Sequence, residues 1–329
     1  MSKFLVTGVA GFIAAKVAEQ LVRRGDQVVG VDNLCDSYDV RLKQWRLNQL
    51  LALPGMEFHQ LDVADLSALR PLCQQKASLG ERPFDGVINL AARAGVRDSV
   101  VDPWSFLETN ATGTLNLLDL CREFGIPKFV LASTSSLYGA HNPQPFREDA
   151  NTDVLLSPYA ASKKAAEALC STYHHLHGID VTVFRYFTVY GPAGRPDMAP
   201  FRFIKWISEG ETLTLYGDGT QQRDFTYVDD IARGTIAGLK PLGYQVINLG
   251  TERTVALMDF IGFIEKLVGR KARIQREPRH LADMMVTWAD TSKARDVLGW
   301  QASTAVEEGL EKAVAWYMEN RHWAREVKL

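Results

Sequence analysis

The segment Thr7–Ala14, TGVAGFIA, limits what this chain can fold into more than any other stretch. A short apolar run, Phe4–Thr7, leads into Gly8 and Gly11, and an amphipathic pattern over Phe12–Arg24 follows, so the glycines fall in a strand-to-helix turn. Glycine there lets the backbone come close to a pyrophosphate, and the helix start offers unpaired N–H groups and a partial positive charge. Ala14 takes the third small-residue position, which serves helix–strand packing. Asp32 closes the next apolar run about twenty residues on, where a carboxylate accepts from both hydroxyls of a ribose and repels a 2′-phosphate. Together these features point to a dinucleotide cradle that prefers NAD to NADP.

The same alternation continues. Strands are expected at Phe4–Thr7, Gln27–Asp32, Glu57–Leu61, Gly86–Leu90, Phe129–Ser133 and Val181–Tyr186, with helices at Phe12–Arg24, Arg41–Leu51, Leu66–Gln75, Ser105–Phe124 and Pro158–His177. That order specifies an α/β chain with a Rossmann-type, doubly wound parallel sheet. Asp62-Val63 and Leu90-Ala91-Ala92 follow strands, at the carboxyl ends where ligands sit in such sheets. After Tyr190 glycines and prolines interrupt shorter elements, which suggests a smaller C-terminal substrate-binding lobe. The expected division is 1–190 for the cofactor domain and 191–329 mainly for the lobe. Thr226–Leu239 and Gln245–Leu249 read as a helix and strand that return to the first domain.

At 329 residues and 46% hydrophobic, the chain can build both parts. Thirty-seven Lys and Arg against 39 Asp and Glu, a formal net charge of −2, leave no footprint for nucleic acid or an anionic membrane. No apolar run is long enough to span a bilayer or act as a secretory core, so a cytoplasmic location is expected. Cys35, Cys73, Cys121 and Cys170 show no C-x-x-C spacing and read as buried, reduced thiols. The helices Ser105–Phe124 and Pro158–His177 are long, and Leu115, Leu117, Leu118 and Leu120 make the first apolar on more than one side. Two such helices suit a homodimer interface.

Tyr159-Ala160-Ala161-Ser162-Lys163 places a phenol and an ammonium four residues apart on one helix face. A phenol with a pKa of about 10 is a poor base at neutral pH, but a neighbouring cation favours the phenolate. Such a tyrosine can take a proton from a carbinol while hydride leaves for NAD. Y-x-x-x-K alone is common by chance; the glycine turn upstream and Ser133-Thr134-Ser135-Ser136 after a strand give it weight.

With these motifs the sequence resembles the extended short-chain dehydrogenase/reductases. TGVAGFIA, NLAA at Asn89–Ala92, STSSLYG at Ser133–Gly139, PYAASK at Pro158–Lys163 and RDFTYVDD at Arg223–Asp230 carry the resemblance across nearly the whole chain. It implies that Tyr159 is the general base, that Lys163 binds the nicotinamide ribose, and that Thr134 hydrogen-bonds the reacting hydroxyl. By the same resemblance Gly8, Gly11, Phe12, Ile13, Asp32, Asn33, Asp62 and Val63 belong to the NAD site. Leu90, Ala91, Ala92 and Tyr186 join them, as does Asn110, at a position that supports the active-site helix.

Within that family, dehydratases and uronate decarboxylases would carry acidic residues after Ser133, whereas this chain has Thr134, Ser135, Ser136 and Leu137. The stretches Val31–Leu47, Ala91–Pro103 and Arg185–Ala199 resemble UDP-glucuronate 4-epimerases. The resemblance implies oxidation at C4 of a UDP-sugar, rotation of the 4-keto sugar, and return of the same hydride and proton to the opposite face. Thr188, where galactose-type epimerases usually carry asparagine, could serve a C5 carboxylate with Ser135 and Ser136, and Arg97 and Arg195 are candidate cations at that end. Tyr216 and Arg223 resemble the segment that packs on uracil and pairs with the diphosphate. Asp283 matches a ribose-binding aspartate, although Ala282 replaces the glycine common before it.

His174, His175 and His177 crowd a helix end, but no cysteine or carboxylate completes a metal site, and no metal is expected. Trp104, Trp206, Trp288 and Trp300 read as core or rim packing. No G-x-S-x-G elbow supports a hydrolase. A UDP-hexose or UDP-N-acetylhexosamine 4-epimerase, a UDP-glucuronate decarboxylase and a non-catalytic NAD-binding regulator remain as alternatives.

Overall fold

The structure, a computed structural model, describes residues 1–77, 81–279 and 283–329. His280, Leu281 and Ala282 of the motif around Asp283 lie outside the described residues. Strand and helix alternate from the start as β1 (Lys3–Thr7), α1 (Phe12–Arg23), β2 (Gln27–Asp32), α2 (Val40–Leu51), β3 (Met56–Gln60), α3 (Leu66–Lys76) and β4 (Gly86–Asn89). Two short helices follow, α4 (Asp98–Val101) and α5 (Pro103–Leu107), then a π-helical turn over Glu108–Thr112, α6 (Gly113–Glu123), β5 (Lys128–Thr134), α7 (Pro158–His177) and β6 (Asp180–Tyr186).

Beyond β6 the elements shorten to β7 (Thr188–Tyr190), α8 (Ala199–Glu209), β8 (Thr212–Tyr216), β9 (Gln222–Arg223), β10 (Phe225–Tyr227), α9 (Val228–Ala237) and β11 (Tyr244–Leu249). The chain closes with β12 (Val255–Ala256), α10 (Leu257–Val268), β13 (Arg273–Glu277), β14 (Val286–Thr287), α11 (Ser292–Leu298), α12 (Val306–Glu319) and α13 (Arg321–Ala324).

Seven strands form one sheet in the order β11-β6-β5-β4-β1-β2-β3, with parallel pairing throughout. Alternation along each strand feeds two cores. Phe4, Val6, Ile88 and Val130 face α1, α9 and α11, while Leu5, Val87, Phe129 and Leu131 face α3, α6 and α7. Strand order reverses between β1 and β4, so a crevice opens past their carboxyl ends. A third core of aromatic residues joins α8, α10 and α12, with the rings of Phe225 and Phe260 stacked at 4.1 Å. Its edge is Phe12 and Leu42 of the first domain, which seats this layer over the crevice.

Several expectations need correction. The helix read at Ser105–Phe124 starts at Pro103, where Asp102 caps it, and is interrupted by the π-helical turn. Leu117, Leu118 and Leu120 are buried, but Leu115 is exposed on the outer side. The helix read at Thr226–Leu239 begins only at Val228, because Thr226 and Tyr227 pair with β7 in a short parallel ladder. Trp206 and Trp300 pack inside as expected, whereas Trp104 is 78% exposed on the outer face of α5. Cys35 is half-buried, unlike the other three thiols. Among the described residues, no helix is long and apolar enough to cross a membrane.

Candidate active site

The glycine turn is shaped by close approach. Gly8 has φ +69°, and a Cβ on it would lie 2.8 Å from the Ala91 backbone; one on Gly11 would lie 2.8 Å from the Gly8 carbonyl. Gly11 precedes α1 with no side-chain cap, so the first N–H groups of the helix face the crevice unclaimed. Thr7 Oγ donates to Asn89 at 2.8 Å and accepts from the Ala91 N–H at 3.2 Å, which locks the ends of β1 and β4 together.

Asp32 is buried at the end of β2, its oxygens accepting from the N–H groups of Ala10 (3.2 Å) and Leu34 (2.8 Å), with Lys43 Nζ 3.6 Å away. Asn33 donates to Asp62 at 2.7 Å, joining the tips of β2 and β3. Lys43 also reaches Cys35 Sγ at 3.3 Å, and with Ser37 it pulls that thiol below its ordinary pKa despite partial burial.

Ser157 starts α7 by accepting from the Ala160 N–H at 3.2 Å, and Pro158 occupies the first turn. This sets Tyr159 and Lys163 one turn apart, with Phe106 edge-on to the Tyr159 ring at 6.1 Å. Burial pushes the phenol up; the Thr134 hydroxyl and the Arg195 guanidinium act the other way. Burial brings the Lys163 ammonium down to about 8, partly offset by Glu167 and Cys170, and its Nζ donates to the Ala132 carbonyl at 3.0 Å. Thr134 caps the single turn over Ser135–Tyr138 by accepting from the Ser136 N–H at 3.1 Å, while its hydroxyl donates to Ser136 Oγ at 3.2 Å.

One cleft of about 690 Å³ collects these groups. Gly8, Gly11, Phe12, Ile13, Asp32, Asn33, Asp62, Val63, Leu90, Ala91, Ala92, Lys163 and Tyr186 line it. Thr134, Ser135, Ser136, Tyr159, Thr188 and Arg195 line it as well, as do Arg97, Tyr216, Arg223 and Asp283. Tyr186 presents only its ring, since its hydroxyl bonds with Thr235 at 2.7 Å.

Asn110, grouped with the NAD site at a position that supports the active-site helix, is not among the residues lining the cleft. It is buried behind the cleft, accepting from the Arg93 N–H and donating to the Arg93 carbonyl and Ser162 Oγ, each at 2.9 Å. The π-helical turn carries it, and its polar atoms serve to brace the loop after β4 against α7. Arg97, a candidate cation like Arg195, lies over the Tyr216 ring at 3.8 Å and pairs with Asp283 at 2.5 Å. Arg195 is paired with Asp197 and donates to the Ala94 carbonyl at 2.8 Å. Arg202 and Tyr38 also line the cleft and were not singled out in the sequence. Tyr38 accepts from Arg46 at 2.9 Å and lies under Arg195, contacts no local spacing announces.

The model of the NAD dependent epimerase/dehydratase family matches residues 4–250. A UDP-glucuronate 4-epimerase of Thermodesulfobacterium geofontis strain OPF15 is 52% identical over 330 residues, covering 100% of both chains. The crystal structure of a Bacillus cereus UDP-glucuronic acid 4-epimerase in complex with UDP-glucuronic acid and NAD superposes with a TM-score of 0.88 at 36% identity, covering 97% of this chain and 99% of that one. A Thermotoga maritima UDP-glucose 4-epimerase solved with UDP-glucose reaches the same TM-score at 29% identity and the same coverage. With a cradle, a Tyr/Lys pair and a family match over most of its length, the chain belongs to the NAD dependent epimerase/dehydratase family.

Proposed function

We propose that this protein interconverts UDP-glucuronate and UDP-galacturonate by inverting C4 of the sugar. The observation that carries the reading is the hydroxyl set Ser135, Ser136 and Thr188, gathered with Arg195, Thr134, Tyr159 and Lys163 in one cleft. A sugar carboxylate needs several donors, and these groups offer them without a side-chain carboxylate from the Thr134–Leu137 segment that could do acid–base work at C5.

The residues present fit NAD, because the Gly8 and Gly11 cradle leaves no room for a side chain and the first N–H groups of α1 are uncapped. We assign its adenosine side to Asp32, Asn33, Asp62 and Val63, and its nicotinamide side to Tyr159, Lys163 and Tyr186. When bound, NAD supplies reversible hydride transfer at sugar C4. Tyr159 takes the C4 hydroxyl proton and returns it after the sugar has turned; Lys163 keeps a positive charge near the phenolate, and Thr134 orients the reacting oxygen. Tyr216, Arg223 and Asp283 hold the nucleotide. For this assignment the chain divides into a cofactor domain, 1–190 with the returning 226–250 segment, and a substrate lobe over most of 191–329.

A homodimer fits the exposed apolar side chains Val101 and Trp104, and a reducing cytoplasm fits four unpaired cysteines. A neutral UDP-hexose is the second reading, favoured by the pairing of Arg195 with Asp197, which already answers that cation.

The test is purified protein incubated with UDP-glucuronate without added NAD. Appearance of UDP-galacturonate supports the reading; release of carbon dioxide with a UDP-pentose as the sole product overturns it. Tyr159→Phe is expected to lose about 10²-fold or more of the turnover while keeping its NAD.

A further inference from the structure

We propose that Glu167 is a positioning residue for the Tyr159/Lys163 pair, tying the active-site helix to the strand that faces it and holding a negative charge one turn behind the Lys163 ammonium. The proposal rests on the reading of Tyr159 and Lys163 as the proton-handling pair.

Glu167 is 5% exposed, four residues beyond Lys163 and eight beyond Tyr159 on α7. Its Oε1 accepts from Ser133 Oγ at 2.6 Å and from Arg185 Nε at 3.0 Å, and its Oε2 accepts from Arg185 Nη2 at 2.8 Å. Ser133 stands between Ala132, whose carbonyl takes the Lys163 hydrogen bond, and Thr134, whose hydroxyl acts on Tyr159. One carboxylate therefore anchors the strand end that serves both members of the pair. Arg185 is held in turn by the Glu148 carbonyl at 3.2 Å and lies over the Tyr138 ring at 5.0 Å, so the carboxylate cannot swing away from β6.

Lys163 meets the Ala132 carbonyl of β5 and is acted on by Glu167 and Cys170 of its own helix, with Tyr159 one turn earlier on α7 and Arg185 of β6 behind Glu167. Arg195 acts on Tyr159 from the loop after β7. Burial pushes the Cys170 thiol up, and the Glu167 carboxylate, paired with Arg185, favours the ammonium.

Two variants test this. Glu167→Gln removes the charge, and the proton affinity of Lys163 is read in two ways: by the alkaline limb of kcat, and by the pH midpoint of Lys163 acetylation followed by mass spectrometry without turnover. Both are expected about one pH unit lower than in the unsubstituted protein; midpoints that stay in place overturn the electrostatic half of the proposal. Ser133→Ala cuts the tether to β5 and leaves the Glu167–Arg185 pair intact, so it decides the matter even if Glu167→Gln does not fold. It is expected to lower kcat about tenfold, with KM and the Lys163 midpoint unchanged, as for loss of one hydrogen bond to a charged group. A kcat within twofold of the unsubstituted protein overturns the tethering half. Absence of epimerisation in the unsubstituted protein would instead count against the proposed function, while the acetylation midpoints would still report on Glu167.

Discussion

Lys163 Nζ donates to the carbonyl of Ala132 at 3.0 Å, so its ammonium is fastened to the strand across from its own helix. Burial brings its pKa from 10.5 down to about 8. The charged form is lost as pH rises through that value, and kcat is expected to fall on the alkaline side with a midpoint near 8. Lys163→Arg keeps a cation there at every working pH and should abolish this limb while lowering the plateau. Stability moves the opposite way: between about 8 and 10.5 the unfolded chain still holds the proton that the folded chain has released, so folding stability rises with pH across that window. Rate profiles and denaturant titrations over the same pH range check both signs.

Gly8→Ala should empty the cofactor site. A left-handed conformation costs an L-residue about 1–2 kcal/mol, and here the new methyl group also meets the Ala91 backbone at 2.8 Å. NAD released on denaturing the purified protein, measured per chain, is expected to drop well below that of the unsubstituted protein. Full occupancy would show that the turn can widen.

Thr188→Val separates the two sugar readings. Its backbone is held by the Asp224 carbonyl at 3.0 Å, so the substitution removes a hydroxyl without moving the strand. Loss of a hydrogen bond to a carboxylate costs about 1.5–3 kcal/mol, roughly 10- to 100-fold in kcat/KM for UDP-glucuronate. Any turnover of UDP-glucose should stay within twofold. Equal losses on both sugars would place Thr188 away from C5.

Trp104→Asp addresses assembly. An aromatic side chain at the centre of an interface is worth 2 kcal/mol or more, so the variant is expected to weaken self-association about 30-fold or more in sedimentation velocity runs. A sedimentation profile identical to that of the unsubstituted protein would count against the proposed homodimer through this face.

Much of the site was legible because its chemistry lies in short spacings. Gly8 and Gly11 share one turn, Asp32 ends the next strand, and Tyr159 and Lys163 are a helical turn apart. The third layer was harder to read. Its strands are two to five residues long, and Thr226 and Tyr227 carry a helical pattern in the sequence while their partner strand, β7, is remote along the chain. Asn110 stands in the sequence at a position that supports the active-site helix, but its partners, Arg93 and Ser162, are brought within reach only by the packed loop and helix.

The order of apolar runs and glycines by itself determined the parallel sheet, the cradle and the placing of Tyr159 and Lys163 on one helix face, because hydrogen-bond register and helical periodicity act over a few residues. Tertiary structure alone decided which charges remain free. Arg97 finds Asp283 across 186 positions, Arg195 is turned toward Asp197 and the Ala94 carbonyl, and Glu167 meets Ser133 and Arg185 from neighbouring strands. Electrostatic pairing depends on distance in space and on exclusion of water, and both arise only when the sheet, its covering helices and the C-terminal layer close around the cleft.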